Sequence, residues 1–263
     1  MLLTLPETLL WWIGIGLKFL LFVLVFYRRL YKRLPLFSLY AVLLVVEVTF
    51  VWWVYRVWGY SSFPAWYTYW WASAVVQVAR FLVVAELCWT SLSTHRAIWP
   101  LVRKILILIA VVALSYAAVT ALRTKSSPLA TFVLSSERAL EISFAIILVT
   151  LAGFGARYMA VLRPVERNIL IGLGAYSCFQ VVNNTFMQEW MSKYFHWWVS
   201  VRVVAFAIAM LVWIIPLRKA LPPVEPGPTL ISESVAVGLL RELLVQMRAI
   251  AEDMKRVTRS KWK

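Results

Sequence analysis

"VVQVARFLVVAEL" occupies residues 75–87 and sets Gln77, Arg80 and Glu86 into an otherwise apolar run. A short run of this kind can be the buried core of a soluble protein or the middle of a membrane span. Its surroundings decide between the two. From Tyr67 to Leu92 the sequence carries no charged residue besides Arg80 and Glu86, and the stretch exceeds the roughly 20 residues that cross a bilayer core. Similar stretches recur along the chain of 263 residues, 62% of which are hydrophobic. Seven spans are expected, at about 8–27, 35–56, 67–92, 102–122, 137–158, 167–188 and 197–217. The segments between them are charged or rich in turn residues: "YRRLYKRLP", "WGYSSFPAW", "STHRAIWPLVRK", "RTKSSPLATF", "RYMAVLRPVERN" and "WMSKYFHWW". The predicted fold is therefore all-α, an integral membrane seven-helix bundle.

The net charge of +15 would point to nucleic acid in a soluble protein. In a membrane protein it reports topology, because basic residues collect on the cytoplasmic side. With the N-terminus outside, the inner loops hold Arg28, Arg29, Lys32, Arg33, Arg96, Arg103, Lys104, Arg157, Arg163 and Arg167. The C-terminal tail adds Arg218, Lys219, Arg241, Arg248, Lys255, Arg256, Arg259, Lys261 and Lys263, and the outer loops hold only Arg56, Arg123, Lys125 and Lys193. This asymmetry predicts the N-terminus outside and the C-terminus inside, in a multi-pass protein of the cytoplasmic (inner) membrane with the lipid bilayer as its first partner and no nucleic acid. The first span lacks the basic flank and small-x-small site of a cleaved signal, and Glu7 precedes it. Tryptophans cluster near the expected interfaces, as at Trp52, Trp53, Trp58, Trp66, Trp70 and Trp71, which is the pattern of an aromatic belt. Cys88 and Cys178 both fall inside spans and read as small packing residues.

Three segments follow from this reading: a seven-span domain at 1–219, a Pro-rich linker at 220–229 around "PPVEPGP", and a cytoplasmic basic amphipathic helix and tail at 230–263. In the last segment Leu240, Leu243, Met247, Ile250, Met254 and Val257 repeat at spacings of three and four, forming one apolar seam. The seam suits pairing in a homodimer or docking of a cytoplasmic partner through 230–259. The basic "RVTRSKWK" suits anionic lipid headgroups.

Arg80 lies near the midpoint of span three, where an unpaired arginine costs about 3 kcal/mol or more. Glu47 has the same depth on the neighbouring antiparallel span two, so a buried Glu47–Arg80 ion pair is expected, with Gln77 one turn away on the same face. Glu86 is rotated by about 120° and lies deeper, which makes it a poorer partner. A second polar group is expected in the outer half. Arg138 and Glu141 share a face of span five; Gln180, Asn183 and Asn184 form a stripe on span six, which Tyr176 and Gln188 extend; and Arg202 lies a turn or two below the outer end of span seven. Lipid cannot satisfy such groups, so they face the interior, either bonding helix to helix or lining a polar pocket. Lys18, central in span one, is a further candidate for a buried pair.

No catalytic motif accompanies these charges. His95 and His196 flank spans on opposite sides, which gives no metal or haem ligand set. Span seven has no lysine for a retinal Schiff base, and neither G-x-S-x-G nor a phosphate loop occurs. No cofactor and no enzymatic activity are expected. The "NNT" at 183–185 lies inside a span, too deep to be a glycosylation site.

"RRLYKRLPLFSLY" (28–40) and "YTYWWASAVVQVARFLVVAEL" (67–87) resemble segments of a family of uncharacterised bacterial seven-span integral membrane proteins, in which a basic Tyr-containing loop leads through Pro and Phe into span two. The layout is also similar to the seven-span input modules of bacterial sensor kinases, which feed a cytoplasmic helix, although no kinase domain follows here. That resemblance implies a sensory or signal-coupling membrane protein without its own catalytic domain. A small-solute or proton-linked transporter and a structural subunit of a larger membrane complex are the alternatives.

Overall fold

The computed structural model of the chain describes residues 5–59, 62–92, 98–124, 127–158, 164–189 and 195–218, with the backbone alone at 5–8, 98, 152–158, 184–189 and 195–200. The expected linker and the seam from Leu240 to Val257 lie outside the described residues. Within them all regular structure is helical: α1 (Leu5–Tyr27), α2 (Pro35–Trp58), α3 (Phe63–Leu92), α4 (Ile98–Arg123), α5 (Pro128–Tyr158), α6 (Pro164–Glu189) and α7 (Phe195–Arg218), with a 3-10 turn at Leu30–Lys32.

Local chemistry fixes the helix starts. Pro35, Pro128 and Pro164 open α2, α5 and α6, at the one position where a missing N–H costs nothing and a fixed φ helps. Ser62 precedes α3 and its Oγ accepts from the N–H of Ala65 at 3.2 Å, an N-cap. α2 ends at Gly59, whose φ of +81° suits a residue without Cβ. In two places a helix end is satisfied from elsewhere in the chain. Leu34 precedes Pro35 and offers no side-chain acceptor. The N–H groups of Leu36 and Phe37 donate instead to the two carboxylate oxygens of Glu86 on α3, at 2.9 and 2.8 Å. An anion at a helix N-terminus also meets the positive end of the helix dipole. At the far end of α7, the carbonyl of Leu217 accepts from Arg28 Nε at 2.9 Å, and that of Arg218 accepts from Arg28 Nη2.

The helices close into a ring. α1 packs on α2, α2 on α3, α3 on α5, α5 on α6, α6 on α7, and α7 returns to α1. α4 lies outside the ring against α5 and α3. It buries Ala113, Ala117 and Ala121, small residues four apart that let a neighbouring helix backbone come close. The core centres on the fully buried Trp213 of α7. Its ring meets Phe37 edge-on at a centroid distance of 5.7 Å, and its Nε1 donates to the carbonyl of Ile169 at 3.3 Å. That contact needs Gly172, because a Cβ there would lie 2.3 Å from Trp213 Nε1.

Among the described residues, five helical segments are long and apolar enough to cross a bilayer: Leu9–Tyr27, Pro35–Trp58, Phe63–Leu92, Trp99–Arg123 and Val201–Arg218. Large apolar side chains lie on the outside, among them Leu108, Val111 and Val112 of α4 and Ile215 of α7. Such an exterior is that of a membrane protein. α5 and α6 fall outside this set, and they bring most of the polar residues to the interior. α5 also begins well before the expected start at 137, a shift with consequences for the site.

Candidate functional site

Arg80 points from α3 towards α5. One guanidinium nitrogen forms an ion pair with Glu141, and another lies 3.8 Å from Glu137. Gln77, on the same face one turn away, follows it: Ser136 Oγ of α5 donates to Gln77 Oε1 at 3.3 Å. Glu137 also takes Arg202 of α7 at 3.0 Å and the Nε2 of Gln180 of α6 at 3.5 Å. The result is a chain of alternating charges graded by depth. Side-chain exposure falls from 40% at Arg202 to 13% at Glu137, 7% at Arg80 and 1% at Glu141. The Tyr176 ring covers Arg80, with the guanidinium carbon 5.4 Å from its centroid.

A second ion pair, Lys18 Nζ to Glu47 Oε2 at 2.9 Å, joins α1 to α2. The two groups face one cavity of about 180 Å³, walled by Lys18, Tyr40, Glu47, Tyr69, Trp70, Gln77, Arg80, Glu137, Tyr176, Arg202 and Phe206 among others. All helices of the ring contribute, and α4 does not. An apolar groove of about 350 Å³ between α2 and α3 shares Glu47 and Val76 with this cavity. Two residues of the polar wall, Gln77 and Arg80, each leave one buried donor without a hydrogen-bond partner, Nε2 and Nε respectively, and both residues are more than nine-tenths buried. Among the described residues no group of three His, Cys, Asp or Glu side chains is placed to hold a metal ion.

The expected Glu47–Arg80 pair does not form. Matching depth on adjacent helices left rotation undetermined. Arg80 turns towards α5, and Glu47 meets Lys18 on its other neighbour, α1. Glu86, Gln77 and Lys18 all have partners, on α2, α5 and α2 respectively. Glu141, Gln180 and Arg202 converge around Glu137, a residue absent from the expected set. The expected span five begins at 137 and leaves Glu137 at its edge, whereas α5 runs from Pro128 and carries Glu137 into the bundle. The available signal was the spacing of Glu137 and Glu141, which puts two carboxylates on one helix face. Arg138 is half-buried, its Nε has no hydrogen-bond partner, and it does not line the cavity. Asn183 is buried with its Oδ1 unpartnered, also off the cavity wall. The side chain of Asn184 lies outside the described residues. Compared with known proteins, the chain matches no family model, no curated protein and no solved structure.

Proposed function

We propose that this is a seven-span sensory or signal-coupling protein of a bacterial cytoplasmic membrane, with its N-terminus outside and its C-terminus inside. A small polar ligand enters the charged cavity, and the change in helix packing passes to the cytoplasmic segment at 230–263. One observation carries this reading: the cavity is walled by six helices at once. A ligand there touches every helix of the ring, so binding biases the whole bundle rather than one hinge. The positive-inside asymmetry supports the orientation and puts Arg202 and Glu137 in the outer half. The polar character of α5 and α6 agrees with their role as interior walls of a seven-span bundle, since a span that turns its polar stripe inwards needs less average hydropathy.

The test is native mass spectrometry of the full chain in nanodiscs. A retained small molecule that is not lipid, lost when Ser73 on the cavity wall is replaced by the space-filling Ser73→Trp, supports the reading; an empty cavity in both proteins refutes it. Uptake of the molecule into proteoliposomes would replace the sensory reading with a transporter.

A further inference from the structure

Resting on the polar-cavity reading, we propose that the ligand is a small zwitterion, a molecule carrying one carboxylate and one ammonium group. The charges at the site balance. Lys18, Arg80 and Arg202 on the cavity wall are matched by Glu47 and Glu137 on the wall and by Glu141 behind it, which pairs with Arg80, so every carboxylate is held by a cation. A lone cation or anion bound at this depth would leave one uncompensated charge where water is scarce. A zwitterion leaves none. The unpartnered donors specify its acceptor end. Gln77 and Arg80 both line the cavity, each is more than nine-tenths buried, and each keeps one buried donor, Nε2 and Nε, without a partner; a carboxylate offers two oxygens to such a pair. The ammonium end has Glu47 and Glu137 on the same cavity wall, and the aromatic rings of Tyr40, Trp70 and Phe206 for cation–π contact. The volume of about 180 Å³ equals roughly six waters, room for a molecule the size of an amino acid.

The experiment titrates the full chain in nanodiscs with five probes: leucine, glycine betaine, acetate, methylammonium and erythritol. Binding is read by calorimetry, and native mass spectrometry identifies anything retained from the cell. At least one zwitterion is expected to bind tenfold or more tightly than acetate, methylammonium or erythritol. Gln77→Leu should weaken it about tenfold without lowering the unfolding midpoint, because Ser136 Oγ keeps its bond to the Val133 carbonyl at 2.9 Å. Acetate, methylammonium or erythritol binding as tightly as the zwitterions overturns the ligand class and leaves the polar-cavity reading standing. Zwitterion binding that ignores both Gln77→Leu and Ser73→Trp places the site elsewhere and overturns the proposal. If no probe binds, a retained zwitterion still supports it, a retained non-zwitterion overturns the class alone, and an empty protein overturns both readings.

Discussion

Replacing Glu86 with leucine should unfasten the start of α2. The wild-type carboxylate accepts from the N–H of Leu36 at 2.9 Å and of Phe37 at 2.8 Å, and the sequence before α2 supplies no substitute acceptor. Loss of a helix cap costs about 0.5–2 kcal/mol, and each buried donor left without a partner costs about 1–3 kcal/mol. The Phe37 bond is buried and belongs to the upper part of that range; the Leu36 bond is partly buried and belongs to the lower. Together they give about 4 kcal/mol. Relief from burying a carboxylate offsets some of this, leaving a net loss of about 2–3 kcal/mol. Glu86→Gln keeps one acceptor oxygen and should lose about 1 kcal/mol. Two measurements read the effect. Titration of the folded protein with a denaturing detergent, followed by helix content, gives the order wild type, Glu86→Gln, Glu86→Leu. Hydrogen exchange resolved at Leu36 and Phe37 should accelerate by roughly a hundredfold in Glu86→Leu, the equivalent of about 2.8 kcal/mol of local opening. If Glu86→Leu unfolds within about 0.5 kcal/mol of wild type and both amides exchange at wild-type rates, the cross-helix cap contributes nothing and the reasoning fails.

Other perturbations probe the remaining contacts. Gly172→Ala should destabilise by about 1–3 kcal/mol by pushing on Trp213, which is fully buried and cannot retreat. Gly174→Ala, whose Cβ would sit 3.4 Å from Leu148, should be nearly neutral in the same detergent titration. Arg80→Gln strands Glu141 and should cost about 3–5 kcal/mol, whereas Arg80→Gln with Glu141→Gln should recover most of it; a double variant no better than the single would exclude the pairing. A double-mutant cycle with Lys18→Met and Glu47→Gln should give a coupling of about 1 kcal/mol or more, and additivity would mean that the pair at 2.9 Å does not stabilise the fold. Arg28→Ala should speed hydrogen exchange in the last turn of α7 while leaving the middle of α1 protected, because it frees the carbonyls of Leu217 and Arg218.

The helices were legible in the sequence because their signals are local. Apolar length is a property of consecutive residues; the expected bounds of spans one and two lie within a turn of the ends of α1 and α2, while α3 begins at Phe63, before the expected 67. The interior was only partly legible. Depth can be counted along a span, and it singles out Lys18, Glu47, Arg80, Glu141 and Arg202, each of which has an ion-pair partner in the structure. Azimuth cannot be counted in the same way, because it depends on how neighbouring helices rotate against each other. That is why Arg80 was matched to α2 when its face points to α5. The Glu137 miss came from a boundary. "RTKSSPLATF" has the composition of a loop, yet Pro128 initiates a helix there, so Glu137 lies well inside α5 and not at its first residue. Glu86 had no legible partner because its partners are backbone amides, which every residue but proline possesses and no side-chain pattern reveals.

The Arg28 bond has a consequence for the order of assembly. Arg28 follows α1, and its acceptors are the last carbonyls of α7. A ribosome delivers these groups some 190 residues apart. α1 is therefore the first helix of the ring to be made and receives its closing partner after every other helix of the ring. Until then the face of α1 that will meet α7 stands open. The first helix made is thus the last to be locked, and mutations that weaken α7 should appear in the cell as loss of α1 from the bundle.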